Sequence, residues 1–218
     1  MSRIDNLKQL ALPGDYRVIK GRVGKETSKR AVFIDIDGTL WPDSGPGTIL
    51  KNPRISSEII SELGNISNLG YLVIGFSNQT FFGYQDKLNL FTIRNYRNKV
   101  RRLTKKAIFD AIYICHHHPD SSISYLKSEC SKRKPNSGLV MWAKEELNLD
   151  LDKSVVIGDR ITDIAAGQDS GIAKRFLIVN PRSLEWNISR RAASLRSLSF
   201  RISRSLIEAL ESMKSEIS

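Results

Sequence analysis

Five short apolar runs recur along the chain, and each ends in polar or turn-forming residues. The runs are AVFID (31–35), YLVIGF (71–76), AIYIC (111–115), SVVIG (154–158) and RFLIV (175–179). They are continuous rather than alternating and rich in β-branched residues, a pattern typical of strands that are buried on both faces of a parallel sheet. The pattern therefore predicts five buried strands.

Helical patterns occupy the intervals between these runs. In the segment 93–107 the apolar residues recur at spacings of three and four, which directs the basic residues of that segment towards solvent. These apolar residues are Ile93, Tyr96, Val100, Leu103 and Ala107. Strands that alternate with helices indicate an α/β fold: a doubly wound, Rossmann-like parallel sheet of five strands with helices on both faces.

Composition divides the chain into three predicted parts. Residues 1–29 are an N-terminal extension, residues 30–182 form the α/β domain, and residues 183–218 are a serine-rich tail that is basic at first. The tail is predicted to be helical because four of its apolar residues share one helical face: Leu198, Ile202, Leu206 and Leu210.

The net charge of +11 favours an anionic partner: a nucleic acid, a phosphorylated metabolite or an acidic membrane surface. Much of this charge lies in the segment 87–106. The alternative is that the basic residues bind no partner and only form solvated faces.

Two cysteines are too few for a disulfide framework, and the chain begins without an apolar signal core. No run approaches the roughly 18 apolar residues of a membrane span. We therefore expect a soluble cytoplasmic protein.

Acidic residues follow two of the predicted strands. Asp35 and Asp37 lie two apart at the end of the first strand, so their side chains point to the same side. Asp159 ends the fourth strand, and Asp163 follows it. Ligands of open α/β sheets bind at the carboxyl ends of strands, so adjacent strands would gather these carboxylates around a hard cation such as Mg²⁺. One carboxylate can then attack phosphorus while another acts as acid and base.

Two further motifs offer groups that can bind phosphate. The second strand ends in Ser77-Asn78-Gln79, which supplies a hydroxyl and two amides. Arg133-Lys134-Pro135 places two cations before a predicted helix, where Lys134 can neutralise charge on the phosphate and on the nucleophile. Each motif alone is weak, but their common position at strand ends makes the set specific.

The motifs DIDGT, FSNQT, RKP and GDRITD resemble those of the haloacid dehalogenase (HAD) superfamily of phosphohydrolases, over roughly residues 30–182. The resemblance implies that Asp35 is the nucleophile, which forms an aspartyl-phosphate, and that Asp37 is the general acid and base. It implies that Ser77 binds phosphate and that Lys134 neutralises charge. Other substrate-binding residues would be Thr39, beside the nucleophile, together with Asn78 and Arg133. The implied Mg²⁺ ligands are Asp35, the Asp37 backbone carbonyl and Asp159, with Asp163 in support.

The stretch CHHHP and the later CSKRKP resemble one branch of that superfamily, the histidinol-phosphate and heptose-bisphosphate phosphatases, which are compact and lack a large cap domain. Members of this branch bind zinc in a loop through Cys, His, Cys and Cys. Cys115, His117 and Cys130 match the first three positions, but Lys132 stands at the fourth. The turn LWPDSGPGTILKNP also departs from the flap that is usual in the branch, which leaves the particular sugar open.

Three interpretations of the zinc loop follow. The three matching residues could bind Zn²⁺ with water, His116 or His118 as the fourth ligand. Alternate residues of an extended segment face opposite sides, however, so His116 and His118 would point away from Cys115 and His117. The loop could instead have lost zinc and fold by packing and hydrogen bonds, because Lys132 places a cation where a thiolate would lie. A catalytic zinc with an open position is the third, but the carboxylates already supply the chemistry.

Residues and resemblance together predict a Mg²⁺-dependent phosphomonoester hydrolase that acts on a small phosphorylated metabolite, with a heptose-type phosphate or bisphosphate as the leading substrate. A histidinol-phosphate phosphatase and a polynucleotide 3′-phosphatase are the alternatives. The net charge favours the polynucleotide enzyme, whereas the near absence of aromatic residues among the basic ones opposes it. A non-catalytic relative is not indicated, because all of the motif acids and Lys134 are present.

Overall fold

The structure is a computed structural model, which describes residues 15–19, 29–45, 47–84, 90–105, 108–179 and 198–216. Within these ranges, seven strands form one sheet in the order β1-β4-β3-β2-β5-β6-β7. The strands are β1 (Asp15–Ile19), β2 (Arg30–Ile34), β3 (Tyr71–Asn78), β4 (Ala111–Cys115), β5 (Val155–Gly158), β6 (Lys174–Ile178) and β7 (Arg201–Ser203). β1 pairs with β4 in antiparallel orientation, and all of the other pairs are parallel.

The central strand β2 is buried on both faces. Val32 and Ile34 pack into one hydrophobic cluster, whereas Ala31 and Phe33 pack into a second cluster on the opposite face. This division follows from the alternation of side chains along a strand, and it explains why the apolar run is continuous.

Helices cover both faces of the sheet. They are α1 (Ser57–Asn68), α2 (Leu90–Lys105), α3 (Gly138–Leu147), α4 (Ile161–Asp169) and α5 (Leu206–Ser215). α1, α2 and α5 contribute to the first cluster, whereas α3 and α4 contribute to the second. The Rossmann-like α/β fold is therefore confirmed.

The predicted number of strands is wrong, because the sheet has seven strands rather than five. The extra strands, β1 and β7, lie at the two edges of the sheet and come from the segments assigned to the extension and the tail. β1 has the sequence DYRVI and no fully buried residue, and β7 has only three residues, of which two are exposed. Edge strands need no continuous apolar run, so the pattern that detects buried strands overlooks them. The division at residues 29/30 and 182/183 stays a prediction.

The C-terminal helix begins later than the apolar spacing predicts. Ile202 lies in β7 and is 69% exposed, whereas Leu206 and Leu210 are buried on α5. The Ser205 side chain accepts a hydrogen bond from the Glu208 amide at 3.2 Å and so caps the first turn.

The apolar face predicted for 93–107 is confirmed where the structure describes it. Ile93, Tyr96, Val100 and Leu103 are buried on α2, and Ala107 lies outside the described residues. Four parallel crossovers connect β2 to β3, β3 to β4, β4 to β5 and β5 to β6, and the described part of each contains one α-helix and at most one short 3₁₀ helix. These crossovers contain no large cap in their described parts.

Candidate active site

The carboxyl ends of β2, β3 and β5 meet at one edge of the sheet because the three strands are adjacent and parallel. Asp35 follows β2, Ser77 lies at the end of β3, and Asp159 follows β5. A cavity of about 360 Å³ lies at this edge. Its lining includes six of the predicted site residues, Asp35, Asp37, Ser77, Asn78, Lys134 and Asp163. The structure thus brings together groups that are far apart in sequence.

Three buried carboxylates lie side by side here. Asp35, Asp159 and Asp163 each offer an oxygen atom, and these atoms lie within 4.8 Å of one another. Gly38, with a φ of +98°, and Gly158 leave space for them, because a Cβ at either position would collide with the carboxylate of Asp159 or Asp163, respectively. Hard oxygen donors in this arrangement suit Mg²⁺.

Crowding and burial disfavour the charged forms of Asp35 and Asp159 in the absence of a metal ion. Burial, opposed by Lys134 and reinforced by Asp163, raises the pKa of Asp35 to about 7. Burial and repulsion from Asp35 raise the pKa of Asp159 well above its ordinary value. A divalent cation among them would favour the charged forms, so the residues present fit Mg²⁺.

Lys134 is the buried cation of the site, with 4% of its surface exposed. Its Nζ lies 2.6 Å from Asp35 Oδ1 and 2.6 Å from Asp163 Oδ1, and it donates to the Phe76 carbonyl at 2.9 Å. Burial opposes its charge, but the carboxylates of Asp163 and Asp35 outweigh that effect and raise its pKa. Lys134 therefore stays charged beside the proposed nucleophile.

Asp163 is held in place by protein groups on both of its oxygens. Oδ1 contacts Lys134, and Oδ2 accepts a hydrogen bond from the Arg160 amide at 2.9 Å at the start of α4. The supporting role of Asp163 stays a prediction.

The Asp37 carboxylate is held by two donors. Trp41 Nε1 donates to Oδ1 at 2.7 Å, and Gln79 Nε2 donates to Oδ2 at 2.5 Å. Burial raises the pKa of Asp37, while these two hydrogen bonds lower it in part. A carboxyl group with a raised pKa, oriented in the cavity, can both donate and accept a proton.

The remaining predicted substrate-binding residues take different positions. Ser77 is buried and lines the cavity. Asn78 also lines it, but its amide nitrogen donates to the Lys134 carbonyl at 2.9 Å and its oxygen accepts from the Lys134 amide at 3.1 Å. Thr39 and Arg133 are not among the lining residues, and Arg133 donates to the His117 carbonyl at 3.0 Å.

Two charged residues of the cavity were not among the predicted site residues. Arg160 and Asp43 both line it, and their side chains pair at 3.0 Å. Arg160 belongs to the motif GDRITD, and Asp43 belongs to the turn after the nucleophile, so both lie in segments that the sequence analysis had linked to the site. The residues are 117 positions apart, and no local sequence pattern predicts that they pair.

A second group of metal-binding side chains comprises Asp15, Cys115, His117 and Cys130, which we call the thiol cluster. One donor atom from each residue lies within 4.8 Å of the others. Asp15 was not predicted, because it comes from β1. Burial, reinforced by the neighbouring Cys130, raises the pKa of the Cys115 thiol, which argues against a reactive nucleophile.

His116 and His118 do not belong to the thiol cluster. His116 is buried, and its Nε2 lies 3.1 Å from the Tyr96 hydroxyl. His118 Nδ1 accepts a hydrogen bond from the Asp120 amide at 3.0 Å. The interpretation in which one of them completes a zinc site is therefore not supported.

Comparison with known proteins gives the following relatives. A family model described as HAD-hydrolase-like matches residues 131–178. D-glycero-alpha-D-manno-heptose-1,7-bisphosphate 7-phosphatase of Burkholderia mallei is 33% identical over 151 residues, which cover 68% of this chain and 79% of that protein. D-glycero-beta-D-manno-heptose-1,7-bisphosphate 7-phosphatase of Yersinia pestis is 29% identical over 153 residues, with the same shares of the two chains.

Solved structures share the fold. A HAD-like phosphatase from Mesorhizobium loti has a TM-score of 0.70 at 21% identity, over 93% of this chain and 96% of that one. D,D-heptose 1,7-bisphosphate phosphatase from B. bronchiseptica, complexed with magnesium and phosphate, has a TM-score of 0.64 at 19% identity, over 86% of this chain and 99% of that one. At these identities the likeness shows the fold alone.

The largely parallel sheet, the cluster of acids beside a buried lysine, and the relatives together define a hydrolase of the HAD type, and the prediction of a phosphatase is confirmed. Within that superfamily, the chain belongs to the branch of the histidinol-phosphate and heptose-bisphosphate phosphatases. None of the helices in the described ranges is long and apolar enough to cross a membrane.

Proposed function

We propose that this phosphatase hydrolyses a heptose-type sugar bisphosphate, with Asp35 as the nucleophile and Asp37 as the general acid and base. The observation that carries the proposal is the arrangement of Lys134, which bridges Asp35 and Asp163 at 2.6 Å each, inside a cavity that Asp37 also lines. The sequence relatives act, by their names, on heptose-1,7-bisphosphates.

The first chemical step transfers the phosphoryl group to the protein. A carboxylate oxygen of Asp35 attacks phosphorus, the bond from phosphorus to the sugar oxygen breaks, and Asp37 gives its proton to that oxygen. Lys134 and Ser77 line the cavity, and their ammonium and hydroxyl groups would stabilise the charge that develops on the phosphoryl oxygens. Mg²⁺, which HAD phosphatases use, would be held by Asp35, Asp159 and the Asp37 carbonyl and would supply positive charge against the phosphate.

The second step restores the protein. Asp37, now a carboxylate, takes a proton from water as the water oxygen attacks phosphorus, and the bond to Asp35 breaks. Inorganic phosphate and the original Asp35 carboxylate result. Trp41 and Gln79 hold the two Asp37 oxygens, so the carboxyl keeps one orientation through both steps.

The cavity favours a small metabolite over a polynucleotide. A volume of about 360 Å³ is in the range of small-molecule sites. No residue of α2, the basic helix, is among the lining residues that the structure describes. Arg160 and Lys134 give the cavity two cations for a substrate with more than one phosphate, and Asp43 can accept hydrogen bonds from sugar hydroxyls.

The test is phosphate release from both anomers of D-glycero-D-manno-heptose-1,7-bisphosphate, from histidinol phosphate and from a 3′-phosphorylated oligonucleotide. We expect the highest kcat/KM with a heptose bisphosphate, and background release with Asp35→Asn. A preference for the oligonucleotide, with activity that falls steeply as salt rises, would instead establish the polynucleotide 3′-phosphatase. Full activity of Asp35→Asn would refute the mechanism for every substrate.

A further inference from the structure

The zinc loop lacks its fourth cysteine, yet the thiol cluster has four donors. We propose that the carboxylate of Asp15 takes the place of the missing thiolate, so that the chain binds one structural Zn²⁺ through two thiolates, one imidazole and one carboxylate. The inference concerns a site apart from the catalytic cavity, because no residue of the thiol cluster is among the cavity's lining residues.

The strand register explains how Asp15 reaches the thiols. β1 pairs with β4 in antiparallel orientation, and Asp15 lies directly opposite Cys115. Side chains of directly opposed residues stand on the same face of a sheet, about 4.5–5.5 Å apart at Cβ. His117 lies two residues after Cys115 and so extends the same face.

Three of the six distances between donor atoms match those around a tetrahedral zinc, and the other three are below 4.8 Å. Zn–S bonds of about 2.3 Å and Zn–N or Zn–O bonds of about 2.1 Å place sulfur about 3.6 Å from nitrogen or oxygen, and nitrogen about 3.4 Å from oxygen. Cys115 Sγ lies 3.7 Å from His117 Nδ1, and Cys130 Sγ lies 3.8 Å from Asp15 Oδ1. His117 Nδ1 lies 3.4 Å from Asp15 Oδ1.

The imidazole–carboxylate distance favours a shared metal over a hydrogen bond. A charge-assisted hydrogen bond between His117 and Asp15 would close to about 2.7–2.9 Å. Two ligands of one zinc ion are held further apart, at about 3.4 Å, which is the distance in the structure.

Lys132 then has a different role from the one that its position in the motif suggests. Its Nζ donates to Asp15 Oδ2 at 2.9 Å, which leaves Oδ1 on the side of the thiols and the imidazole. Partners of this kind orient a metal-bound carboxylate. In formal charges, Zn²⁺ with two thiolates and one carboxylate sums to minus one, and the ammonium group of Lys132 neutralises it. The lysine therefore supports the metal instead of opposing it.

The site would also fasten the first strand to the sheet. β1 is an edge strand of five residues, and none of its side chains is fully buried. Asp15 belongs to β1, whereas the other three donors belong to the end of β4 and the loop after it. A metal bound by all four would cross-link these segments, and its binding free energy would stabilise the docked strand.

The first measurement is the zinc content of the full chain, expressed with ample zinc and dialysed against a weak chelator. We expect about one zinc per chain in the wild type and at least about 100-fold weaker binding in Asp15→Ala. The matched control is Glu129→Gln, which removes an exposed negative charge next to Cys130 and should bind zinc as the wild type does. A wild type without zinc, or an Asp15→Ala variant that binds as tightly as the wild type, would overturn the proposal.

Cobalt substitution counts the thiolates directly and is independent of phosphatase activity. The thiolate-to-cobalt charge-transfer absorption should be stronger in Asp15→Cys, which has three thiolates, than in the wild type, which has two. Asp15→Cys keeps four donors, so it also serves as the test if Asp15→Ala does not fold. An Asp15→Cys spectrum equal to that of the wild type would exclude residue 15 from the metal. Lys132→Met should weaken zinc binding about 10-fold if the lysine orients Asp15, and tighter binding would show that it opposes the metal.

Discussion

Replacement of the proposed nucleophile by asparagine is expected to stabilise the metal-free protein at alkaline pH while it abolishes phosphate release. Asp35 is 5% exposed, and its surroundings raise its pKa from 3.8 to about 7, mainly through burial. The folded pKa is higher than the unfolded one, so between these values the folded state binds more protons than the unfolded state. Stability is therefore lost as the pH rises through this window.

The size of the effect follows from the pKa difference. One pKa unit corresponds to about 1.4 kcal/mol, so ionisation of Asp35 at pH 8 costs the folded state about 4 kcal/mol relative to the unfolded chain. The asparagine side chain of the variant would carry no charge, and Asp159 would lose a repelling neighbour. Because water penetration and relaxation reduce the cost, we expect Asp35→Asn to be about 2–4 kcal/mol more stable at pH 8. Near pH 4 the difference should fall to about 0.5 kcal/mol, since the wild-type carboxyl is then neutral in the folded state and only partly ionised in the unfolded chain.

The assay is urea unfolding in the presence of a chelator at pH 4, 6 and 8. Asp152→Asn, which removes an exposed carboxyl on the loop before β5, is the matched control. It keeps Asp35, so its stability should fall with rising pH as that of the wild type does. Added Mg²⁺ should reverse the order at pH 8, because the wild type alone keeps the full set of ligands. A variant that is less stable than the wild type at pH 8 without metal, or a difference that does not change with pH, would refute the reasoning.

Three further predictions concern groups that position the site. Trp41→Phe removes a donor that lowers the pKa of Asp37, so the alkaline limb of the kcat/KM profile should move to higher pH; an unmoved limb would contradict the acid role of Asp37. Asn78→Ala removes both hydrogen bonds to the Lys134 backbone, and we expect a loss of about 1–3 kcal/mol in urea unfolding with a lower kcat, whereas an unchanged kcat would exclude a positioning role. Gly38→Ala places a methyl group against a carboxylate of the proposed metal site and strains a φ of +98°, so calorimetry should show Mg²⁺ binding that is weaker by at least about 10-fold; wild-type affinity would contradict the placement of the metal.

Most of the framework of this protein can be predicted from its sequence. The five central strands are recognisable because a strand buried on both faces needs an uninterrupted apolar run, and their helices show the spacing of one buried face. The acids and Lys134 are recognisable for a related reason. Parallel strands end at a common edge, so polar residues that directly follow buried runs are brought together by topology alone.

Pairings across the chain were decided only by the tertiary structure. The β1–β4 pair joins Asp15 to Cys115, and neither strand's sequence specifies its partner or its register. Asn78, a predicted phosphate ligand, instead forms hydrogen bonds with the backbone of Lys134. The Arg160 side chain pairs with Asp43, which is 117 residues away in the sequence. Hydrophobic periodicity reports how each segment is buried, but it carries no information about which distant polar group a side chain will meet. The missing cysteine of the zinc loop is thus a local fact of the sequence, whereas the carboxylate beside the remaining thiols is a consequence of folding.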